Sequence, residues 1–342
     1  MSKIQSLLSE SSVEYKAIDY GKIAQTHPWI IQPNQKCVLS PDSDGLLCGL
    51  LMSHYLNWEI VGFYDGKIML LDKNYSAKDV VFLDMEICRK EIRSIGHHML
   101  MFNKKYFPLV KEQFSNCIQP NLMRNYDKKT FRLKYPLATI HLLIDILDNT
   151  FKKIELPESA ICPLFFTDGT FNVLFKYPEN VLDWLKYLRT NETKSALHYL
   201  FENDKYSVIA LMRAMDAFFR KRDKISVSRE RGDRLKISDK KGAPYNIEAD
   251  GIGGSKINDE AVNRTISFLK LLSETTGWNY KSDAWLWNKF SLYKFTKGDF
   301  KGDSKRLNGG TFEEFLKKNP LSWAMTSGDN IEYTIEEPAK MV

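Results

Sequence analysis

Two carboxylates, Asp42 and Asp44, stand together in V-L-S-P-D-S-D-G-L-L-C-G (38 to 49), directly after the apolar stretch Lys36 to Leu39. Acids this close either share a proton or hold a cation, and a metal is the better reading of the pair. The plainer reading is a helix cap beside a turn acid. A second apolar run, V-V-F-L (80 to 83), also ends in an acid, Asp84. A third, I-R-S-I-G-H-H-M-L-M (92 to 101), carries His97 and His98, and a fourth, I-C-P-L-F-F-T-D-G-T-F (161 to 171), carries Asp168. Four carboxylates and an imidazole pair at the ends of apolar segments are the oxygen and nitrogen donors that a hard divalent ion prefers.

The elements that would position them follow from run length and period. Lys36 to Leu39 reads as a strand. Leu46, Leu47, Leu50, Leu51 and Tyr55 recur at helical spacing after Asp44. Residues 60 to 72 read as a strand pair broken at Asp65-Gly66, and 80 to 84 as a buried parallel strand. Neighbouring histidines on a strand would point to opposite faces, so only one of His97 and His98 is expected in a shared site. A helix is expected over 136 to 149, with His141 in its core, the run 161 to 171 is expected to be a strand, and a helix over 178 to 188 follows. His27 falls in a Pro-bearing connector.

Strands alternating with helices predict an α/β fold, a doubly wound and mainly parallel sheet whose chemistry lies at the carboxyl ends of its strands. The expected organisation is an N-terminal extension (1 to 34), a catalytic domain (35 to 195), a helical connector with a basic segment (196 to 242) and a smaller C-terminal α+β substrate domain (243 to 342).

Composition bounds the class. The 342 residues are 43% hydrophobic and 27% charged with a net charge of +6, the make-up of a globular chain and not of a disordered one. No apolar run reaches the ~20 residues of a membrane helix, and the N-terminus lacks a secretory core, so a cytoplasmic protein is expected. The five cysteines (37, 48, 88, 117, 162) form no C-x-x-C pair and read as reduced core thiols.

Charge is concentrated between 220 and 241, with ten Lys or Arg against four acids. Within it Arg220, Arg222, Arg229, Arg231 and Arg234 are candidate phosphate contacts, against a solvated helix face as the alternative. Aromatics and lysines interleave from Trp278 to Phe295; this would suit single-stranded nucleic acid, or the rings pack inward as core.

The succession P-D-S-D-G (41 to 45), L-D (83 and 84), I-G-H-H (95 to 98) and F-T-D-G-T-F (166 to 171) resembles the DHH phosphoesterase family, which includes RecJ-type exonucleases, nanoRNases and cyclic-dinucleotide phosphodiesterases. The resemblance spans about 35 to 190. It implies that Asp42, Asp44, Asp84, His97 and Asp168 bind one or two ions of manganese, with magnesium as the alternative. His98 would contact the phosphate or assist the leaving group, and the catalytic set would be Asp84, His97 and His98. The chain departs from the family at Gly96, where most members have Asp, and at Val38, where phosphodiesterase members have His.

The implied activity is hydrolysis of single-stranded nucleic acid or short oligonucleotides by attack of a metal-activated water, with Asp84 as the candidate bridging ligand between two ions about 4 Å apart. A small-nucleotide phosphodiesterase acting on a cyclic dinucleotide or a pAp-type substrate is a second reading. A third is an inactive DHH-like scaffold or nucleotide-sensing subunit of a larger complex or homo-oligomer. The first motif also resembles D-x-D-G-T of haloacid-dehalogenase-type phosphatases, in which the first Asp is the nucleophile. Leu46 then replaces the Thr, and His97-His98 go unexplained.

Overall fold

The structure, a computed structural model, describes residues 16–100, 104–127, 129–202, 205–225, 235–301, 312–327 and 330–335. Its centre is a sheet of nine strands: β1 (Lys36–Leu39), β2 (Glu59–Tyr64), β3 (Ile68–Asp72), β4 (Val81–Leu83), β5 (Arg93–Ile95), β6 (Cys117–Ile118), β7 (Ile247–Ala249), β8 (Ser255–Ile257) and β9 (Phe290–Lys294). Their order is β6-β5-β4-β1-β2-β3-β9-β8-β7. The half from β6 to β2 is parallel, and from β2 onward each neighbour runs antiparallel. The α/β expectation holds in this mixed form.

β1 lies inside the parallel half and is buried on both faces, as its unbroken apolar run requires. Cys37 and Leu39 join the larger core with the helices Ser43–Leu56 and Thr139–Thr150, whereas Val38 faces a smaller core with Val61, Tyr64, Met69 and Phe82. That second face is covered by side chains from 75 to 92 with Phe295 and Leu321. All five cysteines are unpaired, and four are buried. Among the described residues no helix is long and apolar enough to cross a membrane.

Residues 247–294, placed by the sequence in a C-terminal domain, extend the central sheet through β7, β8 and β9. A separate three-stranded sheet is made by β10 (Thr296–Lys301), β11 (Pro320–Ser327) and β12 (Asn330–Ile335), ordered β10-β12-β11. It is tied to the larger sheet where the site lies. Cys88 N donates to Leu321 O at 2.7 Å, Arg89 donates to the carbonyls of Asn319 and Pro320, and Trp323 Nε1 donates to Leu100 O at 2.9 Å.

The aromatic stretch 278–295 packs largely inward. Trp278, Trp285 and Phe290 are buried, and Trp287 stacks between Trp285 and Phe63 at 6.0 and 5.5 Å. The inward reading of these rings prevails because β9 is an inner strand with neighbours on both sides.

Candidate metal centre

β1, β4 and β5 are adjacent and parallel, so their carboxyl ends open on one edge of the sheet. At the end of β1 the chain turns through Ser40 and Pro41, and Asp42 caps the helix Ser43–Leu56 by accepting from the N–H groups of Asp44 and Gly45, each at 3.1 Å. Gly45 is obligatory in this turn, since a Cβ there would lie 2.2 Å from the carbonyl oxygen of Ser40. Asp44, in the first turn of that helix, is fully buried, and its two oxygens accept from the N–H groups of Thr139 and Ile140 at 2.6 and 2.9 Å. These are orphan donors at the start of the helix Thr139–Thr150, a place that favours an anion.

β4 delivers Asp84, also fully buried, in a left-handed conformation with φ of 61°. Ser40 Oγ lies 2.6 Å from its Oδ2 and 2.9 Å from Asp42 Oδ1, and Thr139 Oγ1 donates to its Oδ1 at 2.7 Å. β5 ends at Ile95, so His97 and His98 stand in the loop after it. Their rings lie side by side, 4.1 Å apart, and both face the carboxylates. The expectation that alternation would separate them is corrected, because the strand stops two residues too early to impose it.

Asp168 joins this group from a different element than expected. The run at 161 forms the helix Ile161–Phe166 and then a 3-10 turn, Thr167–Gly169, in which Asp168 has φ of 50°. A short apolar run is buried equally well as a strand or as a helix against a core. Pro163 sits in the first turn, where a missing N–H costs nothing. Asp168 Oδ2 is 3.3 Å from His97 Nε2.

Donor atoms converge in two overlapping groups, Asp84, His97 and His98, and Asp44, His97 and Asp168, each with its atoms within 4.8 Å of one another. Either group can hold a metal ion. Residues from four segments, 42–44, 84, 97–98 and 168, thus meet at one place.

The charges there are poised for a cation. Burial, followed by the carboxylates of Asp84, Asp168 and Asp42, holds Asp44 well above the usual carboxylate range. Burial and then Asp42 do the same for Asp84. Burial pushes His97 well down, so it is the neutral imidazole that ligation needs. Burial also disfavours the cation of His98, but the carboxylates of Asp84, Glu86, Asp168 and Asp42 outweigh it and lift His98 to about 9.

Hydrogen bonding sets the tautomer of His97. With Asp84 ionised, Thr139 Oγ1 gives its one hydrogen to Asp84 and accepts from His97 Nδ1 at 2.8 Å. The lone pair of Nε2 then faces Asp168. Thr139→Val removes this link, and a 10–100-fold weaker metal affinity is expected by equilibrium dialysis.

Thr139, Ser40 and Glu86 belong to the site without having been singled out from the sequence. Glu86 follows Asp84 by two positions, a spacing that keeps both on one side of an extended chain, and this was the available signal. It is buried, accepts from Met99 N at 2.7 Å and Gln119 Nε2 at 3.3 Å, and its Oε2 is 3.9 Å from His98 Nδ1.

Glu86 also fills the space beside Gly96, where a Cβ would lie 2.8 Å from its Cδ and Oε2. Gly96→Asp is therefore expected to lower stability by about 1–3 kcal/mol through overpacking, and Glu86→Ala in the same chain to relieve it, both read by urea denaturation.

The five arginines fare differently. Arg222 is buried, lies over the Phe166 ring at 5.7 Å and pairs with Asp223, so its guanidinium is not offered to a polyanion, contrary to expectation. Helical periodicity turned it inward on Val208–Ile225. Arg220 is exposed and pairs with Asp216 at 2.9 Å. Arg229, Arg231 and Arg234 lie outside the described residues.

Two cavities flank the cluster. One, about 310 Å³, lies between Asp42, Asp84 and His98 on one side and Lys297, Trp323 and Tyr333 of the small sheet on the other. The second, about 230 Å³, opens on the far side of the histidines. Compared with protein-family models, curated proteins and solved structures, the chain matches none.

Proposed function

We propose that this protein is a DHH-type, divalent-metal-dependent phosphodiesterase that hydrolyses single-stranded nucleic acid or short oligonucleotides. The observation that carries the reading is the convergence of Asp42, Asp44, Asp84, His97, His98 and Asp168, from four separated segments, on a cleft at the carboxyl edge of the parallel strands. Manganese suits the mixed oxygen and imidazole donors, with magnesium as the alternative.

A bound divalent ion would supply charge neutralisation for the phosphate and a lowered pKa for water. The chain's own groups do the rest. Asp44 and Asp84 are locked by the start of a helix and by two hydroxyls, so they need not reorganise when charge develops nearby. His98, the more exposed histidine, lies beside Asp84 and lines the cleft, so in its protonated form it can donate from a ring nitrogen to a phosphate or departing oxygen. Lys297 brings positive charge to the roof of the cleft, although Glu332 pairs with it at 2.5 Å.

The doubly wound DHH-like domain is supported by the parallel order β6-β5-β4-β1-β2 and by site residues at the ends of β1, β4 and β5. The limited volume of the cleft favours one specific alternative, a small nucleotide as substrate. Labelled single-stranded DNA, RNA, a dinucleotide and a cyclic dinucleotide, each incubated with Mn²⁺ or EDTA, separate these readings. Manganese-dependent cleavage of the linear strands supports the nuclease, and cleavage of the cyclic substrate alone supports the small-nucleotide enzyme. No cleavage together with no manganese binding would leave an inactive scaffold.

A further inference from the structure

The cavity beyond the histidines differs in character from the main cleft. Phe131, Tyr135 and Tyr177 line it together with Lys134, and His97 and His98 form the wall that it shares with the candidate metal centre. His98 also lines the main cleft. The cluster thus stands between two compartments, and a phosphodiester has two substituents to place.

We infer that the 230 Å³ cavity is a nucleobase site, which receives the base of one of the two nucleotides joined by the scissile phosphate. The inference rests on the phosphodiesterase reading for the place of the phosphate, and it adds the substrate class that this side of the site selects.

Three observations carry it. Phe131 is 39% exposed and makes a T-shaped contact with Tyr177 at 5.3 Å, so an accessible aromatic residue stands beside a second ring in the cavity wall. Aromatic faces exposed in a cavity are the usual platform for a base, whatever its identity. Tyr135 lies 5.9 Å from the His97 ring, which makes the aromatic wall continuous with the cluster and keeps a bound base within one nucleotide of it. Lys134 is half-buried in the same wall and pairs with no carboxylate among the described residues, so the cavity holds a cation for a neighbouring phosphate. A volume of 230 Å³ is below that of pockets for larger ligands, about 300–1,000 Å³, and suits a single nucleoside.

The test compares two ligands that share a sugar phosphate and differ by a base, adenosine 5′-monophosphate and ribose 5-phosphate. Each is titrated calorimetrically into the full-length, Mn²⁺-supplemented protein and into Phe131→Ala, Phe131→Leu and Phe131→Trp.

Stacking predicts that the wild type binds the adenosine compound at least about tenfold more tightly. The preference should fall to within about twofold in the Ala and Leu variants and return in Trp. Equal binding of the two ligands by the wild type, or a preference that survives Phe131→Ala, overturns the inference. The hydrolysis panel reads the enzyme separately. A base preference without cleavage would keep the cavity and remove the phosphodiesterase, whereas cleavage without a base preference would do the reverse.

Discussion

Asp84→Asn should lower manganese-dependent hydrolysis by about 10³-fold or more, equivalent to about 4 kcal/mol of transition-state stabilisation. Asn is close in shape to Asp and, like it, tolerates the left-handed conformation found at this position. The hydroxyls of Ser40 and Thr139 can each turn to donate to, or accept from, the amide. What the change removes is the negative charge shared among Ser40, Thr139, His97 and His98. The metal-free variant should melt no lower than the wild type, since one buried carboxylate fewer repels Asp44 and Asp42. Activity within about threefold of wild type, in a variant with unchanged melting, would remove Asp84 from the mechanism.

The second large effect is on stability, and its sign follows from proton linkage. Asp44, Asp84 and His98 all have raised pKa values in the folded chain. Their contribution is therefore full below the values of the unfolded chain, about 4 for the acids and 6.5 for histidine, and is lost as pH rises through the folded values.

For His98 the loss runs through about 9. His97, with its value pushed down, acts oppositely, but only below about pH 6.5, because above that it is neutral in both states. In EDTA, melting temperature should thus fall from pH 7 to pH 9. Metal binding needs the ionised carboxylates and reverses this, adding about 2.7 kcal/mol at a hundredfold excess over Kd. Differential scanning fluorimetry at both pH values, with EDTA and with Mn²⁺, measures the difference. A metal-free protein that melts at the same temperature at both, with no shift on adding Mn²⁺, would show that the cluster binds no cation.

Both predictions concern side chains whose chemistry was readable before their arrangement was known. Asp42, Asp44 and Asp84 follow short apolar runs, and such runs end where strands end, so their placement at one sheet edge was legible. For Asp168 the residue was legible and the element was not. Six apolar residues can be buried as a strand or a helix, and only the surrounding core decides between them. Arg222 shows the opposite failure: a basic run predicts exposure, but helical periodicity carries one of its members inward, over the ring of Phe166, which is remote in sequence.

The sequence by itself determined which donors the protein has and that they stand at the ends of buried segments, because burial and period are local properties of a few residues. Only the tertiary structure decided that His97 and His98 face the cluster together and that Glu86 fills the space beside Gly96. It also decided that β7 to β9 continue the central sheet and that Phe131, Tyr135 and Tyr177 wall a cavity beside the histidines. These features depend on strand order and on where each strand stops, and long-range packing, not local pattern, selects both.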